Sequence, residues 1–499
     1  MKQVALVAFM FGAFSAGSAF AAGGREIVLQ GTDAVPACSS CHGVKGTGNP
    51  DMPSARLAGL NAGYIIRQLD SFADGSRKND TMGPVAVALS ETERKAVAAY
   101  YAGLPAPKAA AAARDASKIA AGAAFARMGD WSRGIPGCSQ CHGPDGSGVG
   151  ALVPRLTGQS AEYIEAQLKA WRAGTRKDDP MGLMGGIARK LDKTEIASVA
   201  AYYAAAPNVP AASLGKALTK TSSSGSGKTA TFVPPPDSAI PDNDFGKMVR
   251  LGENIFRDTQ RYAAQYVGNT LNCQNCHLDG GRMADSSPLW AAFGEYPAYR
   301  SKNKHVNSYA ERLQGCFRYS MNGKVPALGS ETLLALEAYS FFLAQGAPVG
   351  VDMPGRGYPA LKKSAKPFDY ARGEKVYKRS CALCHGANGD GQKSADGLSV
   401  FPALWGAGSF NWGAGMGNIK NAAAFIKANM PFSQSGTLTE QEAWDVAAFV
   451  DSHERPQDPR FTGSVAETRT KYHNGATWMY GRTVNGALLG AHSPPSGRR

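Results

Sequence analysis

PACSSCHGVKGTG, Pro36 to Gly48, carries the pattern that decides how the chain folds: two thiols three residues apart on one turn, followed at once by a histidine. Thiols at that spacing can add to the two vinyl groups of a haem, and the adjacent imidazole then lies beneath the iron as proximal ligand. The pattern recurs at Cys138 to His142, Cys273 to His277 and Cys381 to His385. Four such turns predict four covalently bound c-type haems, attached through Cys38, Cys41, Cys138, Cys141, Cys273, Cys276, Cys381 and Cys384, with His42, His142, His277 and His385 on the irons. A zinc half-site or a thioredoxin-like pair needs no histidine after the second cysteine in every copy, and the motifs consume eight of the nine cysteines.

The start of the chain reads as a secretory signal peptide over residues 1–22: Lys2, an apolar run from Val4 to Phe14, then small residues around Ala19-Phe20-Ala21. Export suits covalent haem attachment and predicts a periplasmic protein, not embedded in a membrane, because no segment supplies the roughly 20 apolar residues of a span. The formal charge of +14 is largely offset by about two propionates per haem. It therefore argues against nucleic acid and for acidic redox partners or small anions.

At 499 residues the chain exceeds one core, and the motif spacing predicts a mainly α protein of four class I cytochrome c-like domains in tandem. The boundaries fall at 23–106, 107–206, 245–355 and 356–455, with an Ala/Ser/Gly/Pro linker over 207–244 and an irregular tail over 456–499 that wraps a neighbouring domain. The first two units are a repeat: AGYIIRQLDSFADGSRKND (62–80) is echoed by AEYIEAQLKAWRAGTRKDD (161–179). Each closes with a capped helix, Ser90 with Glu93 and Asp192 with Glu195. In register before those helices stand Met82 and Met184, each seven residues ahead of a leucine. A thioether as sixth ligand raises the potential of an electron-transfer haem. Met181 competes with Met184. The half over roughly 24–206 resembles the two-haem, two-domain class I cytochromes c.

The fourth unit runs from CALCHGANGDG to a helix capped by Thr439 with Glu442. Met430-Pro431 between them resembles a methionine ligand loop, with Met416 and Lys427 as rivals. GSGKT at Gly225 lacks the earlier glycine of a phosphate loop, because Ser222 stands there.

The third unit departs from the repeat. It has no methionine loop before the helix that Ser330 is expected to cap, and it holds the ninth cysteine, Cys316, 39 residues after His277. A thiolate on iron lowers the potential. His305, Met283 and Met321 are alternatives for that sixth position, and a buried, inert cysteine is another reading. From Tyr296 to Gly329 stand Arg300, Lys302, Lys304, Arg312, Arg318 and Lys324 against the single acid Glu311. On a helix Arg312 shares a face with Cys316, and guanidinium groups beside a thiolate suit a small sulfur oxyanion.

YVGNTLNCQNCHLDGGR, YPAYR and ERLQGCFRYSMNG resemble the catalytic part of the periplasmic thiosulfate dehydrogenases, over roughly 245–455. The resemblance implies His277 and Cys316 as axial ligands of an active-site haem, Arg300 and Arg312 as anion-binding catalytic residues, and His385 with Met430 on the next iron. Asn429 replaces the lysine that some relatives place there. The whole chain looks like such an enzyme fused to its dihaem electron acceptor. It would convert two thiosulfates to tetrathionate and pass two electrons to a soluble periplasmic cytochrome c or high-potential iron-sulfur protein. A non-catalytic multihaem carrier, a tetrathionate reductase and a dihaem peroxidase are the competing readings.

Overall fold

In a computed structural model the described residues are 16–49, 54–106, 115–205, 231–362 and 364–497. Most of the expected leader and linker therefore lie outside the described residues, as does residue 107 at the first domain boundary.

One crossing of two helices recurs four times. In the first unit α1 (Ala16–Gln30) crosses α2 (Glu91–Gly103). Then α3 (Ala116–Met128) crosses α4 (Lys193–Ala205), α5 (Asp244–Arg257) crosses α6 (Glu331–Leu343), and α7 (Tyr370–Ser380) crosses α8 (Glu440–Asp451). At each crossing a glycine touches the partner's backbone. A Cβ on Gly24, Gly122, Gly252 or Gly373 would stand 1.9–2.1 Å from the carbonyl oxygen of Ala96, Ser198, Ala335 or Asp445. Only a residue without a side chain lets the axes approach so closely. The closing helices α2, α4, α6 and α8 were legible from their caps, but their N-terminal partners carry their signal in one glycine and are harder to read.

The caps form as the sequence requires at three of the four sites. Ser90 with Glu93 and Thr439 with Glu442 make reciprocal capping boxes, and Asp192 and Glu195 exchange the same pair of bonds. Ser330 is the exception: it occupies the N-cap of α6, but its hydroxyl is buried and accepts nothing from the helix. Strands among the described residues are limited to two-stranded pieces such as Ala298–Arg300 with His305–Asn307.

Units 1 and 2 face each other through their repeated SRK and TRK segments. Lys78 N donates to Thr175 O (2.9 Å) and Lys177 N to Ser76 O (2.7 Å). Arg77 donates to Gln68, Tyr163 and Gln167 while Arg176 donates to Gln167, Tyr64 and Gln68, a reciprocal exchange.

The two halves are docked. Arg127 of α3 pairs with Glu253 of α5 (2.9 Å), Gln140 donates to Gln274 (3.2 Å), and Trp131 meets Phe432 edge-to-face at 5.6 Å. The tail is less irregular than expected, because it holds a helix (Val465–Tyr472) and a small hairpin. Its Met479, Tyr480 and Leu489 pack into the core of unit 4 with Trp412, Ile419 and Trp444, and Arg460 lies over the Tyr319 ring of unit 3.

Candidate functional site

Each motif histidine turns its Nδ1 toward a main-chain carbonyl: His42 to Ala55 (2.8 Å), His142 to Pro154 (2.9 Å), His277 to Ser287 (2.7 Å) and His385 to Pro402 (2.9 Å). Such a bond fixes the ring and leaves Nε2 to face a metal. Burial lowers the basicity of all four, His277 to about 4, and so keeps them in the neutral, ligating form. Arg56 is 3% exposed, and its Nε and Nη1 have no partner in the protein. Burial and then the charge of Arg155 push it down to about 10, so this unpartnered guanidinium suits the counter-charge that a haem propionate would supply. These residues fit covalently attached haem.

In unit 2, Cys138, Cys141, His142 and Met184 line one cavity; Met181 does not, and its carbonyl instead accepts from Gln434. In unit 1, Met82 and Cys38 pack against the same core. In unit 4, Lys427 donates to the carbonyls of Gly436 (2.8 Å) and Leu438 (2.5 Å), so its amine is already engaged. Met416 faces the cavity of unit 3. Both rivals of Met430 are thus occupied elsewhere.

The third cavity, about 290 Å³, brings together Cys273, Cys276, His277, Arg300, Arg312 and Cys316. Helix Tyr309–Gly315 is opened by a Ser308–Glu311 capping box and runs into a wider π turn, Cys316–Ser320, in which Met321 N donates to Cys316 O (2.9 Å). Single π turns cluster at functional sites because they re-aim side chains. Here Arg312 Nη1 donates to Cys316 Sγ at 2.9 Å. The charge of Cys316 is the largest cause raising the Arg312 guanidinium above its usual range. Arg300 is steadied by the Tyr296 hydroxyl, 2.6 Å away.

Among the alternatives to Cys316, Met321 also lines the cavity. His305 does not: its side chain is half exposed, near Glu311 and Asn307. Met283 lies outside the lining as well. Lys302 is half-buried outside the lining, with Nζ 3.8 Å from the centre of the Tyr319 ring and donating to Gly413 O. Burial first, then Arg460 and Arg312, bring it down to about 7.

Among the lining residues to which the sequence reading gave no place in this cavity are Ser320, Tyr358, Met416 and Asn421. Ser320 stands four residues after Cys316, a same-face spacing that could have been noticed. The other three come from the connection to unit 4 and from unit 4 itself, and no local pattern announces them.

A family model described as cytochrome c matches residues 22–104 and 119–205, and one described as cytochrome C oxidase, cbb3-type, subunit III matches 368–450. The chain is thus a c-type cytochrome with covalently bound haem iron. The thiosulfate dehydrogenase of Thiomonas intermedia (strain K12) is 61% identical over 272 residues, 54% of this chain and 86% of that protein. This chain belongs to the thiosulfate dehydrogenase family. A second thiosulfate dehydrogenase, from Stutzerimonas stutzeri (strain A1501), is 54% identical and is covered over 89% of its length. The thiosulfate dehydrogenase electron acceptor of the same strain is 50% identical over 186 residues, 37% of this chain and 86% of that protein. The solved thiosulfate dehydrogenase (TsdBA) from Marichromatium purpuratum, in its as-isolated form, superposes with a TM-score of 0.86 at 47% identity. It covers 95% of this chain and 99% of that one. The four-unit arrangement is therefore shared with a solved thiosulfate dehydrogenase over nearly its whole length. No helix among the described residues is long and apolar enough to cross a membrane.

Proposed function

We propose that this chain oxidises thiosulfate to tetrathionate in the cavity of unit 3 and passes the electrons through its other three units to an external acceptor. The observation that carries the reading is the 2.9 Å bond from Arg312 to Cys316 in a cavity that His277 also lines.

Two thiosulfates give one tetrathionate by joining their outer sulfurs, with loss of two electrons and no proton. Arg300 and Arg312 hold the sulfonate oxygens, since planar guanidinium groups bind oxyanions through paired hydrogen bonds. The Cys316 sulfur bonds the outer sulfur of the first thiosulfate with release of two electrons. The outer sulfur of the second then attacks that adduct, tetrathionate departs, and the cysteine thiolate returns. Haem bound at the four attachment turns would supply one-electron acceptors, and the residues that would hold the irons are His277 and Cys316, His42 and Met82, His142 and Met184, and His385 and Met430.

Packing supports one order of transfer. Leu383, Cys384 and Phe401 of unit 4 line the same cavity as Cys138 and Cys141 of unit 2, so electrons leave the catalytic half through unit 4 into unit 2 and end in unit 1. The acceptor is a soluble cytochrome c or high-potential iron-sulfur protein, and the signal peptide places the protein in the periplasm.

Mixing oxidised protein with thiosulfate and following haem absorbance tests this. Wild type is reduced and forms tetrathionate, whereas Cys316→Gly is not reduced. A wild type that stays oxidised, or a variant with normal turnover, refutes the assignment.

A further inference from the structure

The repeat supplies an internal comparison between one face that is covered and the same face left open. The attachment loops of units 1 and 2 have the same backbone: Gly43 and Gly143 have φ of 77° and 87°, Gly48 and Gly148 of 77° and 83°. The Gly48 and Gly148 amides donate to the carbonyls of His42 and His142 at 3.0 and 2.8 Å. In unit 2 this loop is the docking surface for unit 4. Val149 bridges Ser394 in antiparallel fashion, a Cβ on Gly143 would stand 3.7 Å from the Ser394 Cβ, and one on Gly150 would stand 3.3 Å from Gln392 Oε1.

The cover shows in the burial. His142, Gly143 and Ser147 are buried while Pro144 and Asp145 stay exposed at the rim of the contact, whereas His42 and Gly43 are half-buried and Thr47 is exposed. In unit 1 the nearest atoms to a Cβ on Gly43, among the described residues, belong to its own loop, at Thr47 and Gly48. Val44 is 61% exposed, with Ser40 and Lys45 exposed beside it.

Charge adds a direction. Unit 4 presents Asp396 to unit 2 beside another carboxylate, Asp145, whose proximity raises the Asp396 carboxyl above its usual range. The position equivalent to Asp145 in unit 1 is Lys45. A domain that docked on unit 1 as unit 4 docks on unit 2 would set its carboxylate against a cation rather than against an acid.

We propose that the attachment-loop face of unit 1, centred on Val44 and Lys45, docks an external, acidic c-type cytochrome in the pose that unit 4 takes on unit 2. The chain thus reuses one haem-to-haem contact twice, once inside the molecule and once to discharge it. The inference rests on the reading of unit 1 as the electron exit.

The test separates docking from catalysis. The whole protein, reduced with dithionite, is mixed in a stopped-flow spectrometer with an oxidised, soluble monohaem class I cytochrome c of net negative charge, with no thiosulfate present. The doubly substituted Val44→Asp, Lys45→Glu protein, with an unchanged haem spectrum, transfers electrons at least tenfold more slowly than wild type, and its rate responds less to salt. Lys375→Glu, an exposed lysine of unit 4, leaves both quantities unchanged. An unaltered rate in the double variant overturns the proposal, as does a wild type that leaves the probe cytochrome oxidised. Failure of thiosulfate to reduce the protein, in the separate assay above, would sink the enzymatic reading while leaving this result standing.

Discussion

Arg312 Nη1 lies 2.9 Å from Cys316 Sγ, inside a cavity whose other wall carries His277. One turn of helix separates the two residues, so the contact is local in sequence. Its consequence is electrostatic, because the sulfur is the largest cause holding the Arg312 guanidinium above its usual range.

Replacing Arg312 with Met removes a charge-assisted bond worth about 1.5–3 kcal/mol. The expected result is a loss of about 10- to 100-fold in kcat/KM for thiosulfate at unchanged haem content. Steady-state kinetics beside a haem stain of the same preparation checks it; unchanged kinetics would remove Arg312 from the site.

Lys302 gives the cavity a pH dependence. Burial and the neighbouring cations bring it down to about 7 from 10.5, so below that point it adds a positive charge behind the anion site, and above it the charge is lost. KM for thiosulfate should therefore rise severalfold between pH 6 and pH 8, and Lys302→Met should flatten the profile. Stability has the opposite sign. The unfolded chain holds the extra proton between about pH 7 and 10.5, so this residue makes folding more favourable as pH rises through that window.

Gly373→Ala would place a methyl group 2.1 Å from the Asp445 carbonyl oxygen. At an exposed helix position alanine is favoured by about 1 kcal/mol; here overpacking should cost about 1–3 kcal/mol. Chemical denaturation of the haem-loaded protein should show a lower midpoint, and a higher one would mean that α7 and α8 do not cross in contact.

Arg127→Ala combined with Trp131→Ala removes an ion pair and a ring contact between the halves. X-ray scattering should report a larger radius of gyration, and thiosulfate should reduce the protein in two clearly separated phases instead of one. Identical scattering would show that the remaining contacts suffice.

Much of the site was legible because its chemistry is local. Cys-x-x-Cys-His specifies attachment and the proximal imidazole within one turn, and Arg312 with Cys316 needs only helical spacing. The rivals illustrate the limit. Met430, Met416 and Lys427 lie within 15 residues of one another, and nothing in their order says which faces His385. Packing shows only their different surroundings: Lys427 is held by two carbonyls and Met416 faces another unit's cavity.

The sequence by itself determined how many Cys-x-x-Cys-His turns there are, where each lies, and which unit differs, because covalent chemistry and capping depend on residues a few positions apart. Only the tertiary structure decided that the halves dock, that unit 4 seats on unit 2, that unit 4 completes the wall of the unit 3 cavity, and that the tail packs into the core of unit 4. Those outcomes depend on surfaces hundreds of residues apart meeting in shape and charge, and no short-range pattern encodes which of several similar faces finds a partner.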